Sequence, residues 1–161
     1  MKTPRIDRTI LESIVPHKGD MLLLTDLVEW GDSFNWLTSR AIINTNNLFY
    51  VDKLGGVPIW VGFEYMAQTI AALSGLERYL KGSIESRIGF IMGVRNFISE
   101  RKVLPTNSYF EISVYQLLRN IPVVSFKGHI SFENRIIATG TINAYEPERT
   151  DQGIVRNEKS G

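Results

Sequence analysis

Apolar and polar positions alternate with two different periods along this chain, and the change of period falls just after residue 80. From Ile59 to Leu80 the apolar residues recur at helical spacing, and Pro58 before them and Gly82 after them are start and stop signals, so one long helix is expected there. Beyond it the pattern becomes strand-like over Arg87 to Ile98, Tyr109 to Leu118, Val123 to Phe132 and Arg135 to Tyr145. Turn-rich breaks separate these runs at 104–107, 119–122 and Glu133-Asn134, the last short enough to be a hairpin connection. Upstream, Asp7 to Val15 reads as a short amphipathic helix with Asp7 as its N-cap and Pro16 limiting its end. Met21 to Trp30 and Phe34 to Ile43 read as a strand pair around Gly31-Asp32, followed by a loop from Asn44 to Pro58. Small residues on the long helix, Ala67, Ala71, Ala72 and Gly75, are expected to let a sheet approach its axis.

These elements make an α+β chain, with one domain over residues 1–145 and a polar tail over 146–161. One helix against a largely antiparallel sheet suggests a sheet wrapped around that helix, the hot-dog arrangement. Such a single layer leaves an open sheet edge, so pairing with a second subunit is expected.

Composition removes several classes of function. Net charge is +1, so no global field directs the chain to nucleic acid or to a membrane surface. No cysteine is present, which excludes disulfides and thiolate metal sites and fits a reducing compartment. The two histidines, His17 and His129, have no ligand spacing, so no metal and no cofactor is expected. Residues 1–8 lack a signal-peptide core and no apolar run reaches the length of a membrane span, which makes the cytoplasm the expected location.

The chemistry concentrates on the long helix. Glu64 and Gln68 lie one turn apart in an otherwise apolar or small-residue window. An ionised carboxylate is costly to bury and finds a partner or shifts its pKa, so Glu64 is either an edge residue leaning into solvent or a functional acid. Gln68 is suited either to steering that carboxylate or to satisfying a strand carbonyl.

Several segments carry a family resemblance. Pro16-His17-Lys-Gly-Asp-Met21-Leu22-Leu23-Leu24, followed by Pro58-Ile-Trp60 and Glu64-Tyr-Met66-Ala67-Gln68, resembles the 3-hydroxyacyl-acyl-carrier-protein dehydratases, closest to the divergent branch encoded with aryl-polyene clusters. Val94-Arg95-Asn-Phe97 to Val103-Leu-Pro105 adds to the likeness, which covers most of residues 10–145. The resemblance implies a hot-dog fold, a dimer of like or unlike subunits, and dehydration of a 3-hydroxyacyl group held on acyl-carrier protein to a trans-2-enoyl product. It implies Glu64 and His17 as catalytic residues, with Tyr50, Pro58, Ile59, Trp60 and Gln68 around the substrate. First-turn amides near Ile59 and Trp60 are the candidate oxyanion donors.

One departure is large. The family's usual histidine stands fourteen positions before the helical Glu, and Tyr50 occupies that position here. Tyrosine, with an ordinary pKa of about 10, starts as a donor rather than a base. Three readings follow: a dehydratase in which His17 or Tyr50 assists Glu64, a degenerate subunit that completes a partner's active site, or an acyl thioesterase. Trp60, Phe63, Met66, Phe90 and Met92 are candidate channel residues as well as core. Lys53, Arg95, Arg101 and Lys102 are candidates to receive an acidic carrier protein. His129 alternates with apolar neighbours and is expected on the surface of its strand.

Overall fold

A computed structural model describes residues 5–82 and 90–147. Helix α1 spans Arg8–Ile14, with the Asp7 carboxylate accepting from the Ile10 amide at 3.1 Å as the N-cap. Strands β1 (Asp26–Trp30) and β2 (Trp36–Ile43) precede the short β3 (Gly56–Pro58). A single 3-10 turn, Ile59–Val61, leads into helix α2, Gly62–Lys81, which ends on Gly82 in the left-handed conformation at φ 68°. Then follow β4 (Phe90–Ser99), β5 (Val103–Pro105), β6 (Ser108–Asn120), β7 (Val123–Phe132) and β8 (Arg135–Tyr145).

Six strands form one antiparallel sheet in the order β1-β2-β6-β7-β8-β4, wrapped around α2. This is the hot-dog arrangement. Alternate residues of the middle strands, such as Leu37, Phe110, Ile112, Val114, Phe126, Ile130 and Ile142, meet the buried face of the helix. The turn between β7 and β8 places Glu133 and Asn134 at φ 50° and 62°, the paired positive values that a two-residue hairpin needs. Among the described residues no helix is long and apolar enough to cross a membrane.

Three expectations are corrected. The segment Met21–Thr25 is not strand: Gly19–Met21 is a 3-10 turn and pairing begins at Asp26. The break at 104–107 contains a strand, because Val103–Pro105 pairs with Gly56–Pro58 across the entry to α2. Of the small helix residues expected to admit the sheet, Ala67 and Ala71 border a groove instead, and the close approaches lie at Gly128 of β7 and at Gly62, the first residue of α2. Met66 packs where a Cβ on Gly128 would stand 2.7 Å from its sulfur, and Gly62 faces Ile130. On the helix itself, Gly75 admits α1: a Cβ there would lie 2.0 Å from the Ile14 carbonyl oxygen. Residues Arg87–Gly89, the side chain of Phe90 and the tail beyond Pro147 lie outside the described residues.

His129 sits on the outer face of β7, half-buried, its ring 5.5 Å from that of Tyr115. Burial, and then the charge of Lys127, lower its pKa below the ordinary value. The unfolded chain therefore binds more protons between the lowered value and about 6.5, and stability rises with pH through that window. Acidification below about pH 6.5 should weaken the fold, and His129→Gln should remove that part of the slope in urea unfolding followed against pH.

Candidate active site

The Pro16–Leu24 segment crosses the side of α2 and is fixed at both ends. The Val15 amide closes α1 on the Leu11 carbonyl, and the Lys18 ammonium covers the carbonyls of Glu12 and Val15. Arg8 reaches over to the carbonyls of Leu24 and Gly19, at 3.0 and 2.8 Å. Gln68 ties the segment to α2. Fully buried, it accepts from the Leu23 amide at 2.8 Å and donates to the Met21 carbonyl at 2.9 Å. The stretch that looks like strand from its leucines instead has its Leu23 amide and Met21 carbonyl satisfied by a side chain.

The same Gln68 amide donates to Glu64 Oε1 at 3.1 Å. His17 brings Nε2 to 3.5 Å from that same oxygen. The two side chains are 29% and 26% exposed, Glu64 the more so, and the pair faces an opening rather than sitting wholly in solvent or wholly in the core. His17 Nδ1 points inward and is buried.

The opening is a groove of about 630 Å³, within the usual range for a small-molecule site. Glu64 and His17 stand in it together with Ala67, Ala71 and Ser74 on the succeeding turns of α2. The opposite walls are Ile14 to Pro16 on one side and Val124, Phe126 and Ala144 from the ends of β7 and β8 on the other. Arg119 and Glu146, paired at 3.0 Å, also line it. The groove exists because α2 presents alanines and a serine where larger residues would fill the space. The spacing of those residues at i, i+4 and i+7 is visible in the sequence, but not that the facing layer stands off from them.

The other sequence candidates fall elsewhere. Tyr50 is half-buried in the loop before β3, its amide donating to the Asn47 carbonyl at 3.0 Å, and it does not line the groove. Pro58, Ile59 and Trp60 are also outside it, with Trp60 59% exposed. The Ile59 amide donates to the Lys102 carbonyl at 2.9 Å, so it is not available to an oxyanion; of the two candidate amides only that of Trp60 remains. Met66 is core, Met92 is exposed, and neither they nor Phe63 line the groove. Lys53, Arg95, Arg101 and Lys102 are exposed and outside it. Among the described residues no cluster of three or more His, Asp or Glu is placed to hold a metal ion.

Replacing Gln68 by Leu keeps the volume and strands the buried Leu23 amide. The loss should be about 2 kcal/mol in urea unfolding, within the usual penalty for an unpaired buried group.

A family profile described as ApeP dehydratase, ApeP-like, matches residues 9–155. Among solved structures, a chain of the dehydratase heterocomplex ApeI:P from Xenorhabdus doucetiae is 26% identical, with a TM-score of 0.77 over 88% of this chain and 93% of that one. A virulence protein from Campylobacter jejuni is 16% identical, with a TM-score of 0.57 over 89% and 92% of the two chains. An uncharacterized protein from Pyrococcus horikoshii is 9% identical, with a TM-score of 0.60 over 80% and 86%. These last two share the fold alone. No curated protein matches the sequence. With the profile spanning nearly the whole chain and the helix-borne carboxylate set in an apolar groove of the wrapped sheet, this chain belongs to the ApeP-like dehydratases, the aryl-polyene type of hot-dog dehydratase.

Proposed function

We propose that the chain works in the dehydration of 3-hydroxyacyl groups carried on acyl-carrier protein, releasing water and a trans-2-enoyl product, and that Glu64 is its reacting residue. The observation that carries this reading is the placement of Glu64 at an apolar groove of about 630 Å³, with one carboxylate oxygen held by Gln68. An acyl chain can lie along Ala67, Ala71 and Ser74 with its C3 hydroxyl at Glu64. Dehydration then requires a proton to leave C2 and the C3 oxygen to depart as water, with the thioester oxygen bearing enolate charge in between. In the self-contained reading the Glu64 carboxylate takes the C2 proton and passes it to the departing C3 oxygen, so that water leaves and the carboxylate is restored. Within the chain, His17 is the imidazole beside that carboxylate.

A second reading places the C2 base on another hot-dog subunit. It is favoured by Tyr50, which stands where the family's histidine is expected and lies outside this chain's own groove, and by the matched structure, which is a dehydratase heterocomplex. In that arrangement this chain lends Glu64 to a site that its partner completes. The two readings separate in one assay: 3-hydroxyacyl-carrier protein is offered to the purified chain, alone and with a histidine-bearing hot-dog subunit, and enoyl product is followed. Turnover by the chain alone supports the self-contained enzyme, and turnover only on addition of the partner supports the shared site. Hydrolysis of a simple acyl thioester with no enoyl formation would replace both with a thioesterase.

A further inference from the structure

We infer that His17 is a positioning donor to Glu64 and not the base that takes the C2 proton. The inference deepens the reading of Glu64 as the reacting carboxylate and rests on it.

Gln68 fixes the direction of each hydrogen at this site. It cannot be turned about: its oxygen accepts from the Leu23 amide, so its nitrogen faces the Met21 carbonyl and Glu64 Oε1. Glu64 Oε1 therefore already accepts one hydrogen bond, and His17 Nε2 approaches the same oxygen at 3.5 Å. A bare nitrogen lone pair facing a carboxylate oxygen is repelled, whereas an N–H is attracted, so Nε2 carries the hydrogen. In neutral imidazole the basic lone pair is then on Nδ1. That atom is buried, and among the described residues nothing lies within hydrogen-bonding reach of it.

A base must present its lone pair to the groove, and the lone pair of His17 points into the protein. Protonating it would place an N–H of an imidazolium in a dry position with no acceptor, which is costly. Gln68 donates to Oε1 and His17 Nε2 approaches that same oxygen, so Oε2 is the oxygen of Glu64 left to meet the substrate.

Nitrogen-15 NMR of the wild-type chain, above the titration range of His17, reads the tautomer directly. The Nε2–H form is expected, and the Nδ1–H form would overturn the inference whether or not the protein turns substrate over. The second measurement compares His17→Gln with His17→Leu in whichever preparation is active, alone or with its partner subunit. Glutamine can offer an amide N–H in place of Nε2–H but cannot act as a base. It should stay within about tenfold of wild type, while leucine, which lets Glu64 wander, should lose on the order of 10²-fold. Equal collapse of both folded variants would make His17 the base. A wild-type preparation with no enoyl formation would sink the dehydratase reading and leave the tautomer measurement to decide this one.

Discussion

Glu64→Gln should lower enoyl formation by about 10²- to 10⁴-fold, the usual contribution of a positioned acid or base, with the thermal midpoint nearly unchanged. The substitution is close to isosteric. The new side-chain amide keeps an oxygen that can accept from Gln68, whose nitrogen stands 3.1 Å from the carboxylate, and the position is part-exposed, so no buried group is stranded. What disappears is the negative charge and the capacity to carry a proton. A loss confined to kcat, with KM within a few fold, would mark an interaction made in the transition state; a rise in KM alone would mark a binding residue. Should Glu64→Gln retain the wild-type rate, the carboxylate is not the reacting group and the proposed mechanism fails, whatever the fold. Mixed with a histidine-bearing partner, the same variant shows whether the partner's turnover depends on this chain. A shared site still needs this chain's Glu64, whereas a partner that works unaided does not.

The long helix and the final run of strands are legible in the sequence because each has an uninterrupted period and clear punctuation. Pro58 and Gly82 bracket the helix, and Glu133-Asn134 mark the tight hairpin. Glu64 and Gln68 are legible as a pair because a one-turn spacing is a local fact. Other features depend on contacts distant in sequence. Periodicity states which face of α2 is small or apolar, not what stands opposite it, so Ala67 and Ala71, which suggest close sheet packing, turn out to floor a groove, while Ala72 is core. The Ile59 amide looks free as part of a first turn until Lys102, far along the chain, supplies its acceptor. Met21 to Thr25 looks like strand because leucine suits a strand as well as any buried segment. What decides the matter is that Gln68 reaches the Met21 carbonyl and Leu23 amide before any neighbouring strand does.

Gly75→Ala should reverse the ordinary helix rule and couple stability to activity. In an exposed helix interior this change gains about 1 kcal/mol, because alanine is the better helix former. Here the added Cβ would stand 2.0 Å from the Ile14 carbonyl oxygen and 3.1 Å from the Ile14 Cβ. The nearer obstacle is backbone, so a side-chain rotation cannot relieve it, and α1 must move away from α2. Overpacking of this kind costs about 1–3 kcal/mol, enough to cancel the propensity gain and leave a net destabilisation. Ile14 ends α1, and Val15, Pro16 and His17 follow it directly, so a shift of α1 carries His17 away from Glu64 Oε1. Enoyl formation should therefore fall even at temperatures where circular dichroism shows the protein fully folded. A Gly75→Ala protein that is more stable than wild type, with unaltered turnover, would show that α1 yields freely and that the His17–Glu64 contact does not depend on the seat Gly75 provides.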